Sequence, residues 1–180
     1  YHAEYGFSCM GYEIAGGLGV KMAKPEREVI VLVGDGSYLM LNSELATSVM
    51  LGHKIIVVVL DNRGFSCINR LQNATGNRSF NNLLKDCESD DGHPVVNFAL
   101  HAESLGANSE YVENINELAS ALERARSSSK SYLISLVTDS HKISPEGGCW
   151  WEVAVPEVSS NEKGEEIYES YKKAKKKQPY

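Results

Sequence analysis

The sequence predicts an α/β fold of three layers, α/β/α, around a mainly parallel sheet. Residues 29–33 and 55–60 are continuous runs of β-branched and aliphatic side chains, the pattern of parallel strands buried on both faces. Between them Leu41, Leu45 and Val49 recur at helical spacing over 42–51, and Gly52 stands where that helix has to end. The order strand, helix, strand is that of a βαβ unit. A less pure run, 132–137, supplies a third strand. The helix that feeds it opens at Asn114-x-x-Glu117, which resembles a capping arrangement ahead of Leu118, Ala121, Leu122 and Ala125.

Residues 10–22 read as a helix rich in small side chains. Three glycines, Gly16, Gly17 and Gly19, make it a costly helix, so close packing against a neighbour has to compensate. The polar stretch 73–94, with Gly76, Gly92 and the acidic cluster 88–91, reads as a long loop around one helical turn near 80–84; long loops are usually functional. Residues 139–160 read as an extended arm carrying Trp150 and Trp151. The lysines 172, 173, 175, 176 and 177 read as a solvated helix end, with a patch for nucleic acid or anionic lipid as the alternative. Residues 1–140 are expected to form the principal domain, and 141–180 an arm and helix packing on it or on a partner subunit. No internal repeat is visible.

Composition narrows the function. At 180 residues, 42% apolar and 23% charged, the chain falls in the ordinary globular class. Its formal charge is −6 although five lysines and no acid occupy the last ten residues, so the rest of the chain repels nucleic acid. No apolar run approaches the ~18–20 residues of a membrane span. Cys9, Cys67, Cys87 and Cys149 are far apart and form no C-x-x-C pair, which argues against a zinc or redox pair and for a reducing cytoplasm. The chain begins at Tyr1 with no readable leader and reads as an excised domain.

The sharpest motif is Gly34-Asp35-Gly36-Ser37 directly after one buried strand, with Asp61-Asn62-Arg63-Gly64 directly after the next. Both fall at the carboxyl ends of parallel strands, where open α/β sheets bind ligands. Glycines on either side of Asp35 let backbone approach phosphate oxygens, and its carboxylate is a hard oxygen donor for Mg²⁺ or Ca²⁺. The Asn62 amide oxygen and a carbonyl near Gly64 complete a protein-side triplet. Mg²⁺ held this way takes its other positions from a diphosphate and water. A P-loop is excluded for want of G-K-[ST], and a dinucleotide fingerprint for want of G-x-G-x-x-G at a first strand.

This pair of motifs, 27 residues apart from Asp35 to Asn62, resembles the G-D-G and N-N motif of the thiamine diphosphate enzymes of the decarboxylase and acetolactate synthase superfamily. The first Asn of the family's pair is Asp61 here; the liganding second one is retained. The resemblance implies Mg²⁺ held by Asp35, Asn62 and the Gly64 carbonyl, and a cofactor-contacting set of Ser8, Cys9, Met10, Gly34, Gly36, Ser37, Asn62, Gly64 and Phe65. Gly36 and Ser37 would meet the diphosphate. Ser8 would offer its carbonyl to the aminopyrimidine, and Met10 would prop the cofactor's bend, with plain core packing as the alternative.

The strings Tyr5-Gly6-Phe7-Ser8-Cys9-Met10-Gly11-Tyr12-Glu13 and Trp150-Trp151-Glu152-Val153 further resemble the trihydroxycyclohexane-1,2-dione hydrolases of inositol catabolism. Those open a cyclic diketone to 5-deoxyglucuronate. Acetolactate synthase-like or 2-oxoacid decarboxylase chemistry is the alternative, and an inert binding or dimerisation module a second. The resemblance also implies a pyrimidine domain elsewhere in the full-length polypeptide, supplying the glutamate that activates the cofactor, and a homodimer or homotetramer.

The remaining candidates are less defined. His2 is either catalytic or merely an ordered end residue. Cys9 and Cys67 also read as small apolar fillers. Glu44 reads as a solvated or subunit-facing acid, and His53 as surface. His93, His101 and His141 show no partner spacing and read as structural or solvent-facing. Trp150 and Trp151 either close over substrate or pack against a sister subunit.

Overall fold

The computed structural model describes residues 1–3, 8–87, 92, 95–142, 152–161 and 163–178. Trp150, Trp151, His93, Cys149 and the segment 4–7 lie outside the described residues. Contacts divide the chain into two compact units, Tyr1–Asn62 with Pro94–Thr138, and Arg63–His93 with Asp139–Tyr180. In chain order the elements are α1 (Tyr12–Ala23), β1 (Ile30–Gly34), α2 (Asp35–Met40), α3 (Ser43–Met50), β2 (Ile56–Asp61), α4 (Ser66–Ala74), α5 (Phe98–Ser104), β3 (Asn108–Tyr111), α6 (Ile115–Ser127), β4 (Tyr132–Val137) and α7 (Gly164–Lys175).

The first unit is a four-stranded sheet in the order β1-β2-β4-β3, with every neighbouring pair parallel. Helices cover both faces, as the sequence predicts. On one face Ile55, Val57 and Val59 pack with Val31, Val33, Leu133, Ile14 of α1, Leu45 of α3 and Phe98 of α5. On the other, Ile56, Ile134 and Val112 pack against Ala121 and Ala125 of α6. Each such aliphatic side chain, fully buried, stabilises the fold by roughly 1.5–3 kcal/mol.

Local signals explain the ends of several elements. Asn114 Oδ1 accepts from the Asn116 and Glu117 amides, as expected of the cap, and Glu117 Oε2 reaches back to the Glu113 amide at 2.8 Å, one residue before the N-cap. After α3 the Gly52 amide donates to the Val49 carbonyl and the His53 amide to the Ser48 carbonyl, closing that helix where the sequence places its end.

Other expectations are corrected. β1 is an edge strand with one covered face: Val31 and Val33 are buried, whereas Leu32 is 64% exposed. Three elements of the first unit were not expected: α2 and, further along the chain, α5 and β3. The last, Asn-Ser-Glu-Tyr, is a polar edge strand with no apolar run to announce it. Among the α1 glycines only Gly17 is required by a neighbouring element. A Cβ there would lie 2.3 Å from Val31 Cγ2, whereas at Gly16 it meets only the helix's own Tyr12 ring and at Gly19 nothing within 4 Å. Gly17→Ala is therefore expected to destabilise the protein by about 1–3 kcal/mol, and Gly19→Ala to stabilise it by up to ~1 kcal/mol. Urea unfolding of the two variants checks the contrast.

In the second unit, α4 was not expected, and within the predicted loop a 3₁₀ turn falls at Leu84–Asp86, a little beyond the turn expected near 80–84. Gly76, just past α4, packs on α7: its would-be Cβ is 3.1 Å from Ile167 Cδ1, and its carbonyl accepts from Asn161 Nδ2 at 2.6 Å. Lys172, Lys173 and Lys175 occupy the last turn of α7, where cations favour the helix dipole. Lys172 pairs with Glu169, and Lys175 with Glu152 at 2.7 Å. No helix among the described residues is long and apolar enough to cross a membrane.

Candidate functional site

β1 and β2 are parallel neighbours with Gly34 opposite Leu60, so Asp35 and Asn62 leave adjacent strands at the same, carboxyl, edge of the sheet. Asp35 opens α2, a position where the helix dipole favours negative charge, and is only 6% exposed. Ser37 is buried beside it and Gly36 half-buried. Asp61 is buried, with its backbone carbonyl accepting from the Thr138 amide at 2.8 Å; Asn62 is half-buried.

Gly34 is informative for what surrounds it. Its backbone is ordinary extended chain, φ −75° and ψ 156°. An added Cβ would meet no protein atom within 4 Å. Neither conformation nor packing against the rest of the described chain requires glycine there, and the open space lies at the residue that precedes buried Asp35. Asp35 and Asn62 carry a carboxylate and an amide oxygen, donor types that suit a hard cation such as Mg²⁺. No group of three His, Cys, Asp or Glu side chains that could hold a metal ion occurs among the described residues.

In the second unit the backbone turns sharply. Arg63 and Gly64 both have positive φ, 63° and 137°, the first uncommon for a non-glycine residue. Gly64 bridges Leu83 antiparallel, the Phe65 amide donates to the Asn82 carbonyl at 2.7 Å, and the Leu84 amide donates to the Arg63 carbonyl at 3.0 Å. This clamp holds residues 63–65 ahead of α4. Strained backbone concentrates at functional sites.

The other candidates separate. Ser8, Cys9 and Met10 are exposed in the first unit, and Met10, 42% exposed, is not core. Cys9 and Cys67 are exposed, which overturns the reading of either as an apolar filler. His2 is exposed, with Nε2 3.4 Å from the Tyr12 hydroxyl. Phe65 and Glu44 are half-buried, and so is His53, expected at the surface.

Two features escaped the sequence. His101, read as structural or solvent-facing without a partner spacing, has Nδ1 2.9 Å from the hydroxyl of buried Tyr38. The spacing of Phe98, Ala102 and Leu105 behind Asn97, whose side chain caps α5 by accepting from the Leu100 amide, was the available signal. Asn69 of α4 is buried with Oδ1 unpartnered, an uncommon condition for a buried carbonyl oxygen; nothing in its spacing announces it. Burial also raises the Tyr38 phenol above its ordinary pKa, so it remains a neutral hydroxyl.

Comparison with known proteins decides the family. Residues 1–136 match the family described as thiamine pyrophosphate enzyme, C-terminal TPP binding domain. The chain belongs to this family. It is 43% identical over 173 residues to a Geobacillus thermodenitrificans protein named 3D-(3,5/4)-trihydroxycyclohexane-1,2-dione hydrolase, covering 93% of this chain and 27% of that one. The Bacillus subtilis protein of the same name is 43% identical over 174 residues, covering 96% and 27%. The chain thus spans about a quarter of the length of these relatives, 27% of each. Among solved structures, the Rhodococcus jostii RHA1 thiamine diphosphate-dependent 4-hydroxybenzoylformate decarboxylase superposes with TM-score 0.60 at 21% identity, covering 72% of this chain and 23% of that one. That likeness shows that this TPP-binding domain shares its fold.

Proposed function

We propose that this TPP-binding domain forms the diphosphate side of the cofactor site in an enzyme that hydrolyses the C–C bond between adjacent carbonyls of trihydroxycyclohexane-1,2-dione. The identity to the hydrolases, which runs over nearly the whole chain, supports the substrate class. The placement of buried Asp35 and of Asn62 at the carboxyl ends of adjacent parallel strands, with open space at Gly34 just before Asp35, is the observation that carries the cofactor site.

In this reading the Asp35 carboxylate, the Asn62 amide oxygen and the Gly64 carbonyl, two residues on in the chain, hold Mg²⁺. The first-turn amides of Gly36 and Ser37, which lack intrahelical acceptors, donate to diphosphate oxygens. Gly34 leaves room for that group to approach. Ser8, Cys9, Met10 and Phe65 contact the rest of the cofactor, and His2 contacts substrate. Bound thiamine diphosphate supplies the electron sink that cleavage between two carbonyls requires. The activating glutamate comes from another domain of the full-length polypeptide, which works as an oligomer in the cytoplasm.

Calorimetric titration of full-length protein with thiamine diphosphate, with and without Mg²⁺, is the test, together with Gly34→Ala. The variant is expected to keep wild-type thermal stability, because its methyl meets no protein atom. Cofactor affinity is expected to fall about tenfold, the effect of ~1.4 kcal/mol. Equal affinity in the variant, or binding indifferent to Mg²⁺, sinks the site. Product analysis with the cyclic diketone and with pyruvate tests the substrate class; turnover of pyruvate alone sinks the hydrolase reading.

A further inference from the structure

Tyr38 anchors α2 in the core. Its side chain is 0% exposed, whereas Leu39 and Met40, the other large side chains of this six-residue helix, are exposed. Its ring stands edge-on to Phe98, with centroids 5.4 Å apart, and edge-on to His101 at 5.6 Å. Its hydroxyl lies 2.9 Å from His101 Nδ1. Phe98 and His101 sit one turn apart on the same face of α5.

A helix of fewer than two turns has too few internal hydrogen bonds to hold its own orientation, and no side chain caps α2 at Gly34. Rotation of α2 about its axis therefore has to be set from outside. An apolar ring alone tolerates small rotations within its pocket; a directed hydrogen bond at its tip does not. One turn before Tyr38 stands Asp35, and next to it Ser37.

We propose that His101 is a positioning residue for cofactor binding: by engaging the Tyr38 hydroxyl it fixes the rotation of α2 and with it the direction in which Asp35 and Ser37 face. This rests on the reading of Asp35 as a metal ligand and Ser37 as a diphosphate contact. The pair acts at a distance from the cofactor, and its effect reaches the metal through helix orientation. Ligands have to be held within about 0.5 Å of their working geometry, so small freedom in α2 costs affinity. With the imidazole neutral and its proton on Nε2, the phenol donates and Nδ1 accepts.

The test uses the full-length polypeptide with Tyr38→Phe, His101→Leu and His101→Gln, whose amide oxygen can accept the phenol proton. Thiamine diphosphate affinity at saturating Mg²⁺ and the Mg²⁺ dependence at fixed cofactor are measured by calorimetry, and cofactor-free thermal unfolding is measured alongside. Tyr38→Phe and His101→Leu are each expected to weaken binding by about five- to tenfold, the scale of one lost, partly buried hydrogen bond. The double variant is expected to be no weaker than either, and His101→Gln to recover most of the loss.

A fall in thermal stability with unchanged affinity makes the pair a packing contact and overturns the inference. Where His101→Leu fails to fold, Tyr38→Phe, which keeps the ring, decides alone. Wild-type protein that binds while its variants bind equally well overturns this inference only. Wild-type protein that does not bind overturns the cofactor reading and this inference with it.

Discussion

Replacing Asp35 with asparagine in the full-length polypeptide is expected to weaken Mg²⁺-dependent thiamine diphosphate binding by about a hundredfold, ~2.8 kcal/mol at about 1.4 kcal/mol per decade. Asparagine preserves the shape of a side chain that is almost fully buried at the start of α2, so the helix should still form. What it removes is the formal charge. The other proposed protein ligands, the Asn62 amide oxygen and the Gly64 carbonyl, are neutral and offer only dipoles to a divalent cation, so Asp35 alone offsets its charge from the protein side. Calorimetry with graded Mg²⁺ reads the effect directly. The mid-point for Mg²⁺ should move upward together with the cofactor affinity. A change smaller than about threefold in either would remove Asp35 from the metal.

Gly64→Ala is expected to cause the largest loss of stability of any conservative change near the motifs, about 3 kcal/mol or more. Two costs combine. The residue sits at φ 137°, where a side chain is strained by roughly 1–3 kcal/mol. Its Cβ would also lie 2.5 Å from the Asn82 carbonyl oxygen and 2.9 Å from Leu83 Cα, both backbone atoms that cannot rotate away. Relief requires opening the antiparallel bridge between Gly64 and Leu83, and with it the Phe65 to Asn82 hydrogen bond. Limited proteolysis should therefore speed up within residues 63–87, and thermal unfolding should begin earlier. Unchanged protease resistance there would show that the bridge is not what orders this segment.

The central strands were legible because burial on both faces forces continuous apolar runs; β2 is buried along nearly its whole length. β1 reads the same way but has one open face, since an apolar strand records the habit of parallel sheets and not its own place at the edge. β3 was hidden for the opposite reason: a polar edge strand leaves no apolar pattern, and only its pairing with β4 makes it a strand.

The site shows a similar divide. Asp35 and Asn62 could be placed because two strand ends and their spacing fix them. α2 went unseen because Gly-Asp-Gly is the composition of a turn, although the helix begins at Asp35 itself. The link between Tyr38 and His101 joins residues 63 positions apart and depends on α5, so no local pattern encodes it. The left-handed Arg63 is likewise set by the bridge beyond it and not by its own preference.

The spatial order of the strands also bears on how the chain is made. β4, the last of the described strands in sequence, lies between β2 and β3. While the polypeptide emerges, β1 and β2 are free to pair early, bringing together the strand ends that lead into Asp35 and Asn62. The far edge of β2 then waits, bare and apolar, until Tyr132–Val137 has been synthesised to fill the gap. Such long-range insertion slows folding, and an open apolar edge is a template for a neighbouring chain. Nascent chains that stop before β4 would carry both motifs and still be the species most in need of a chaperone.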